Sequence, residues 1–258
     1  MPPPNQDAPA LGATTPCALR CDNLTLGYDE HPAVHHLSCD IVHGSLTAIV
    51  GPNGGGKSTL LRGLTGMLAP LGGSVTQPTP GSIAYLPQQA EIDRSFPMTV
   101  FDLVAMGLWS DIGAFGRLTR AHRTRVQAAL ERVGLTGFDQ RGLAALSGGQ
   151  VQRVLFARLI LQNAQVMLLD EPFAAVDART TQDLLTLITQ WQTEGRTIVA
   201  VLHDMSQVRR HFPDCLILAR EKIAHGPTAQ VLTPDALSRA NAMTEAPDPH
   251  APLCDDVA

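Results

Sequence analysis

The sequence predicts an α/β fold built on a mainly parallel sheet that helices cover on both faces. Short apolar runs of strand length alternate with longer helical patterns, and this alternation is typical of such sheets. The chain has 258 residues, 44% of them hydrophobic, which is enough for a substantial core. Its longest apolar runs are far shorter than the ~20 residues that a membrane helix needs. We therefore expect a soluble, cytoplasmic protein.

The elements follow from periodicity and composition. Apolar and polar residues partly alternate over 18–26, which predicts a strand. Leu46–Val50 is an apolar run that stops before Gly51, which is typical of a buried parallel strand. Further strands are predicted over 165–170 and 197–202, and helices over 58–67, 100–109, 120–133, 151–162 and 180–191. The helical stretch from about 97 to 162 interrupts the alternation and predicts an inserted helical subdomain within a domain spanning 17–243.

The charge is concentrated at the two ends of the chain. Lys and Arg number 19 and Asp and Glu 24, which gives a formal net charge of −5. Five of the acidic residues lie in the terminal segments, so the body of the chain is formally neutral: Asp7, Glu245, Asp248, Asp255 and Asp256. A neutral body argues against a broad nucleic-acid surface, and we expect no nucleic-acid partner.

The terminal segments and the cysteines offer two weak metal hypotheses. Residues 1–16 and 244–258 lack periodicity and predict a disordered leader and a disordered acidic tail. The tail contains His250, Cys254, Asp255 and Asp256, which suit a soft metal ion, although a flexible polar tail is the commoner outcome of this composition. Cys17 and Cys21 resemble half of a metal site, but no second Cys or His pair lies nearby at zinc-finger spacing.

A phosphate-binding loop is the first motif with a specific chemistry. The pattern G-x-x-x-x-G-K-[ST] is matched by Gly51, Pro52, Asn53, Gly54, Gly55, Gly56, Lys57 and Ser58, with Thr59 next in the predicted helix. The glycines let several backbone N–H groups point at one anion, and the helix N-terminus adds its dipole. Lys57 would reach the β- and γ-phosphates, and Ser58 would hold Mg²⁺. The alternative, a glycine-rich turn that fits by chance, is disfavoured by the predicted strand and helix on either side.

A carboxylate pair follows the apolar strand Val166–Asp170. Ligands of α/β proteins bind at the C-terminal ends of the strands, where this strand presents Asp170 and then Glu171. Asp170 would bind Mg²⁺, and Glu171 would orient the attacking water or accept its proton. A strand that ends in Asp-Glu is common by itself. Together with a phosphate loop about a hundred residues upstream, it strongly indicates a nucleotide site.

The string Leu146-Ser147-Gly148-Gly149-Gln150 precedes a predicted helix and has no role in a simple nucleotide site. Ser147 is a plausible N-cap, and the two glycines permit close backbone approach. The string therefore indicates a second anion-binding helix start.

Together these motifs resemble the ATP-binding subunits of ABC transporters over about residues 18–235. Leu146–Gln150 matches the signature motif of that family residue for residue. The resemblance implies a head-to-tail dimer, in which Ser147, Gly148, Gly149 and Gln150 of one copy contact the ATP on the phosphate loop of the other. It also implies the ABC ATPase fold, with a RecA-like P-loop NTPase core, an N-terminal antiparallel β subdomain and an inserted helical subdomain. Mg²⁺-dependent ATP hydrolysis is the expected activity.

Four further positions match the family in order. The resemblance implies that Tyr28 stacks on adenine, and that Gln88 touches Mg²⁺ and the water and senses the membrane partner. It implies that Asp177 crosses the dimer interface and that His203 is the switch histidine at the γ-phosphate. Each has a plainer alternative: a surface ring for Tyr28, a helix N-cap for Asp177 and a strand-end histidine for His203. The sequence departs from the family at Gly55, Val151 and Leu202, none of which removes a reacting group.

The resemblance also implies partners and a cargo. A chain without a membrane span needs a separate permease at the cytoplasmic face of the inner membrane, and an importer receives its solute from an extracytoplasmic binding protein. The stretch 95–107 is similar to the Phe-Pro-x-Thr-Val segment of zinc and manganese importers, and Val176 before Asp177 is also typical of them. Trp109 and Phe115 are candidates for partner contact, or alternatively pack within the helical subdomain.

Three alternatives stay open. Iron-chelate importers share part of the 95–107 segment. Phe96, Pro97 and Val100 are also consistent with simple packing of the helical subdomain, which any cargo class would need. Soluble ABC-type ATPases that act on ribosomes or DNA belong to a different class, but they usually carry two cassettes or a long coiled-coil insertion, which this chain lacks.

Overall fold

Two sheets, one antiparallel and one mostly parallel, organise the chain. The structure is a computed structural model that describes residues 17–29, 31–77, 82–88, 93–94, 96–113 and 115–243, so the predicted leader and tail, with the proposed tail metal ligands, lie outside it. The strands are β1 (Cys17–Tyr28), β2 (His31–Val42), β3 (Leu46–Val50), β4 (Gly72–Thr76), β5 (Ile83–Leu86), β6 (Val166–Asp170), β7 (Thr197–Val201), β8 (Asp214–Ala219) and β9 (Glu221–Pro227). The sheet orders are β2-β1-β4 and β5-β6-β7-β3-β8-β9.

The six-stranded sheet is buried on both faces, as the apolar runs predict. Strands β3, β6 and β7 are buried at every position, and their successive side chains alternate between two hydrophobic cores. In β6, for example, Met167 and Leu169 join one core while Val166 and Leu168 join the other. Five strands are parallel, but β9 pairs antiparallel with β8. The predicted α/β class with a mainly parallel sheet is confirmed.

Four of the predicted helices are confirmed, the stretch 100–109 differs, and the three helices after β7 were not predicted. They are α1 (Lys57–Thr65), α2 (Val100–Ala105), α3 (Trp109–Ile112), α4 (Arg120–Arg132), α5 (Gly148–Gln162), α6 (Ala178–Thr193), α7 (Met205–His211), α8 (Thr228–Val231) and α9 (Pro234–Ala242). The prediction of one helix over 100–109 is wrong, because a 3₁₀ turn at Met106–Leu108 separates α2 from α3. A Cβ atom at Gly107 would lie 2.4 Å from the carbonyl oxygen of Arg158, so the backbone packs directly on α5 here.

The antiparallel sheet lies against one face of the core. Its long ribbon, β1 with β2, carries several register shifts and places Cys21 directly opposite Cys39. The apolar side chains of the ribbon share a core with Leu60, Leu61 and Leu64 of α1. The ribbon therefore packs on the helix that follows the phosphate loop.

The opposite face of the sheet is covered by the helices between β5 and β6 and by the C-terminal helices. Val154, Leu155 and Phe156 of α5 are fully buried, and the ring of Phe156 stacks on Trp191 of α6 with centroids 5.8 Å apart. Among the described residues, no helix combines the length and the apolar character that a membrane crossing requires. Helix α5 is thus anchored in the core at its middle, while its N-terminus emerges at the surface.

Candidate active site

Four adjacent strands deliver the predicted site residues to one edge of the sheet. In the order β5-β6-β7-β3, the C-terminal ends lead to Gln88, to Asp170 and Glu171, to His203, and to the phosphate loop. The strands are parallel, so these ends meet at the same edge, as expected for ligand sites of α/β sheets. The structure therefore brings together residues that lie up to about 150 positions apart.

The phosphate loop is fixed by glycines that touch neighbouring backbone. Gly51 has a φ of 152° and Gly56 a φ of 84°. A Cβ atom at Gly51 would lie 1.9 Å from the carbonyl oxygen of Leu218, and one at Gly56 would lie 2.5 Å from that of Ala33. Only glycine combines these torsions with such close approach. The loop therefore packs directly on the backbone of β8 and the ribbon.

Lys57 begins α1 and lies buried beneath this loop. Its Nζ donates to the carbonyl oxygens of Gly51 and Pro52 at 3.0 and 2.7 Å. Burial lowers the pKa of the ammonium, although the nearby Glu171 and Asp170 carboxylates oppose that shift. The ammonium is thus held in the loop within electrostatic reach of both carboxylates.

Glu171 connects two of the other predicted residues. Its Oε1 accepts a hydrogen bond from Gln88 Nε2 at 2.8 Å and lies 2.7 Å from Nε2 of His203. Both contacts converge on the same carboxylate oxygen of Glu171. Glu171 also has a φ of 48°, a strained torsion for a non-glycine residue and one that recurs at active sites. The plainer alternative of a satisfied strand-end histidine is consistent with this hydrogen bond, and the expected role of His203 at the γ-phosphate stays a prediction.

Asp170 ends β6 in a fully buried position beside this group. The hydroxyl of Tyr85 lies 3.5 Å from its Oδ2. Asp170, Ser58 and Gln88 together offer a carboxylate, a hydroxyl and an amide oxygen, which are the hard oxygen ligands that Mg²⁺ prefers. The donor set therefore fits the predicted magnesium ion. The suggested cysteine site does not fit a metal, because in the described part of the chain no three His, Cys, Asp or Glu side chains are placed to hold one.

The signature segment forms a separate helix start. Ser147 is the N-cap of α5, as predicted, and forms a capping box in which its Oγ accepts from Gln150 N and its N–H donates to Gln150 Oε1. This box starts the helix at Gly148, three residues earlier than the predicted Val151. Ser147, Gly148, Gly149, Gln150 and Asp177 line an open cavity of about 550 Å³. No phosphate-loop residue is among the described residues that line it.

Asp177 lies beside the signature segment and caps α6. Its carboxylate accepts from the N–H and the hydroxyl of Thr180 at 2.9 and 2.8 Å, and these hydrogen bonds lower its pKa. The N-cap alternative is therefore confirmed, and it leaves the expected interface role untested. Arg153 of α5 donates to Thr180 Oγ1 at 2.9 Å and to Asp183 Oδ2 at 2.9 Å.

Arg153 and Thr180 were not predicted from the sequence. The two residues are 27 positions apart in the chain and lie on different helices, so no local pattern identifies their contact. Arg153 also donates to the carbonyl oxygen of Val133 after α4. It thereby ties the signature helix, the Asp177 segment and α4 into one unit.

Tyr28 lies at the end of β1, next to the helix that follows the phosphate loop. Its ring is 45% exposed, and its hydroxyl accepts a hydrogen bond from Arg62 of α1 at 2.9 Å. The ring is available for stacking, but it is also consistent with the alternative of an ordinary surface side chain.

The segment after Gln88 divides into buried and exposed apolar residues. Val100 is fully buried, in agreement with the packing alternative for that residue. Phe96, Trp109 and Phe115 are exposed, with Phe115 at 102%. The alternative that Trp109 and Phe115 pack within the helical subdomain is therefore not supported by their exposure.

Comparison with known proteins identifies the family. A model of the ABC transporter family matches residues 34–174. The manganese transport system ATP-binding protein MntB of Listeria monocytogenes is 39% identical over 228 residues, covering 86% of this chain and 95% of that protein. The zinc transport system ATP-binding protein TroB of Treponema pallidum is 37% identical over 234 residues, covering 88% of each.

Solved structures give the same result. A chain of a metal-chelate type ABC transporter in an inward-facing conformation aligns with a TM-score of 0.78 and 32% identity, over 88% of this chain and 89% of that one. A dimeric bacterial ABC transporter cassette aligns with a TM-score of 0.71 and 26% identity, over 81% and 98%. The fold and the site define an ATP-binding cassette. The chain belongs to the ABC transporter family, which confirms the resemblance found in its sequence.

Proposed function

We propose that this protein is the Mg²⁺-dependent ATPase subunit of an ABC importer for divalent metal ions, with zinc or manganese as the cargo. The observation that carries the ATPase part is the placement of Gln88, Glu171 and His203 in one hydrogen-bonded group beside the phosphate loop. A carboxylate held in this way is suited to take a proton at the γ-phosphate position.

The proposed chemistry assigns one task to each side chain. Backbone N–H groups of the phosphate loop and Lys57 hold the β- and γ-phosphates, and Glu171 accepts a proton from the water that attacks the γ-phosphorus. The bond to the β,γ-bridging oxygen breaks, which gives ADP and inorganic phosphate. Ser58, Gln88 and Asp170 would hold Mg²⁺, which neutralises phosphate charge when bound. Gln88 and His203 orient the Glu171 carboxylate.

We propose that the complete site needs two copies of the chain. The signature segment and Asp177 line their own cavity, away from the phosphate loop, so each chain offers two half-sites. A head-to-tail dimer would place Ser147 and its glycines on the γ-phosphate bound by the partner. The dimeric cassette that the chain resembles supports this arrangement.

The proposed membrane partner is a permease that docks on the segment after Gln88. Phe96, Trp109 and Phe115 supply exposed apolar surface there, and Gln88 links this segment to Glu171. Docking would place the subunit at the cytoplasmic face of the membrane. An extracytoplasmic metal-binding protein would deliver the cargo to the permease.

The metal cargo rests on the relatives and on the 95–107 segment. The relatives named above are manganese and zinc transport subunits, and the chain covers most of their length. The structural similarity to a metal-chelate type transporter favours a second candidate, an importer of chelated metal. The subunit itself does not touch the cargo in either case.

Substitution of Glu171 by Gln tests the ATPase mechanism. Removal of the proton acceptor should lower turnover by roughly 10²–10⁴-fold while ATP binding remains. The variant should accumulate as an ATP-bound dimer in size-exclusion chromatography with Mg-ATP at high protein concentration. Glu131→Gln on α4, an exposed glutamate outside this group, is the matched control and should behave as the parent. A Glu171→Gln protein that stays monomeric at saturating ATP would contradict the shared site.

The cargo is tested separately in a deletion strain. Growth under chelation and cellular metal by mass spectrometry should show a fall in zinc or manganese, restored by the intact chain but not by Glu171→Gln. A fall in iron with unchanged zinc and manganese would favour the chelate importer and leave the ATPase proposal intact.

A further inference from the structure

We propose that Cys21 and Cys39 form a dithiol site that is reversibly oxidised to a cross-strand disulfide by low-molecular-weight disulfides. The two residues are direct partners in the β1–β2 ribbon. Directly opposed residues of antiparallel strands have Cα atoms roughly 4.5–5.5 Å apart. A disulfide spans Cα separations of roughly 4.4–6.8 Å, so the strands need little movement to be bridged.

The two thiols differ in the way that a redox pair requires. Cys21 is 4% exposed within the ribbon core, whereas Cys39 is half-buried at the edge of that core. Lys222 of β9 donates to the carbonyl oxygen of Ser38, which places an ammonium beside Cys39. A partly exposed thiol near a cation is the usual form of a reactive cysteine.

The electrostatics of the pair agree with this division. Interaction with the Cys39 thiol raises the pKa of Cys21, and burial raises it further. Interaction with the Cys21 thiol lowers the pKa of Cys39; burial opposes that shift, and the Lys222 ammonium reinforces it. Cys39 is therefore the attacking thiol, and Cys21 is the thiol that resolves the intermediate.

The reaction is a two-step thiol–disulfide exchange. Cys39 loses its proton to solvent and attacks one sulfur of the small disulfide, whose S–S bond breaks and releases one small thiol. Cys21 then loses its proton and attacks the Cys39 sulfur of the mixed disulfide, which releases the second small thiol. The protein loses two electrons and two protons, and the small disulfide gains both. The new bond closes a loop that contains the β1–β2 turn and Tyr28.

The cysteines outside the pair provide internal controls. Burial raises the pKa of Cys215 on β8 to about 12, so this thiol should stay reduced. Cys17 lies on the same ribbon, but its Sγ donates to the carbonyl oxygen of Leu19 at 2.8 Å. Among the cysteines that the structure describes, Cys17 on the same ribbon is therefore the competitor to test for either member of the pair.

The sequence makes the test simple, because trypsin releases Cys21 and Cys39 together in peptide 21–57 and Cys17 in peptide 1–20. The intact chain is equilibrated in buffers of oxidised and reduced glutathione, labelled with iodoacetamide, digested and weighed. In oxidising buffer, peptide 21–57 should lose both labels and be lighter than its reduced, unlabelled form by two hydrogen atoms. Dithiothreitol added before labelling should restore both labels.

Two variants and three adverse results complete the test. Cys39→Ser should lower the oxidation of Cys21 by about tenfold or more, because a buried thiol of raised pKa reacts slowly. Cys17→Ser should oxidise as the parent does. The proposal is overturned if peptide 21–57 keeps both labels, if it retains a stable glutathione adduct, or if it is found linked to peptide 1–20.

Discussion

The phosphate loop and the signature segment each precede a helix, yet they are built in opposite ways. The phosphate loop packs against the backbone of β8 and the ribbon, with Lys57 buried beneath it. The signature segment is held at the surface by the Ser147 capping box and by the side chain of Arg153. The first depends on close backbone packing that glycine permits, whereas the second depends on a few side-chain hydrogen bonds.

Gly51→Ala should cause the largest loss of stability. The new methyl group meets the Leu218 carbonyl in a loop with a φ of 152°, so we expect a loss of about 3 kcal/mol or more. Gly54→Ala is the matched control, since its φ of 76° is also positive but nothing lies within 4 Å. It should cost roughly 1–2 kcal/mol. Chemical denaturation of both variants measures the difference, and equal losses would show that the loop is not held by β8.

Arg153→Ala should have the next largest effect on stability. Its broken hydrogen bonds should lower the free energy of unfolding by about 1–2 kcal/mol. ATP affinity of the isolated chain should be unchanged, while ATP-driven dimerisation should weaken because the Asp177 segment is no longer tied to α5. Arg125→Ala removes an ion pair between two half-exposed side chains on α3 and α4 and should cost roughly 0–1 kcal/mol. If Arg153→Ala weakened ATP binding by the monomer, the two regions would not be independent.

Tyr28→Ala tests whether the exposed ring beside the phosphate loop stacks on adenine. Loss of the ring should weaken ATP binding by ~1–2 kcal/mol and leave the rate at saturating ATP nearly intact. Tyr28→Phe keeps the ring but removes the acceptor for Arg62, and should bind ATP as the parent does. Equal weakening in both variants would assign the effect to the Arg62 contact instead of to stacking.

Ser147→Ala should have a small effect on stability, about 1 kcal/mol for a lost N-cap. Thr119→Ala at the start of α4 removes the same kind of capping box and should cost as much. Only Ser147→Ala should lower turnover, because Thr119 lies outside the proposed site. Equal turnover in the two variants would restrict Ser147 to its structural role.

The sequence predicted the core of the fold because burial there follows simple periodicity. Leu46–Val50 and the strand ending at Asp170 were found as apolar runs, and the phosphate loop was found as a motif. The strands β2, β4, β5, β8 and β9 were not predicted. In β2 and β9 the apolar side chains are interrupted by polar ones, which hides the strand pattern. The 3₁₀ turn at Gly107 depends on close contact with the backbone of Arg158. A tertiary contact of this kind leaves no trace in the periodicity of the sequence.

The candidate site likewise has a part that was predictable from the sequence and a part that was not. Asp170 and Glu171 were predictable as residues that follow a strand of a parallel sheet, whereas Gln88 and His203 were expected from the resemblance to the family. The hydrogen bonds that orient them were not predictable, because Gln88 and Glu171 are 83 residues apart and Arg153 reaches Thr180 across two helices. Side-chain partnerships of this kind depend on tertiary packing, which no motif records.

The two tryptophans of the chain lie in opposite environments, so intrinsic fluorescence is able to report on two regions of the protein. Trp191 is 1% exposed and stacked on Phe156, whereas Trp109 is 65% exposed on the segment proposed to meet the permease. Trp191 should fluoresce at short wavelength and report unfolding, and Trp109 should emit at long wavelength and respond to quenchers. A Trp109→Phe protein isolates the buried signal, so the difference between the two spectra follows docking without any attached dye.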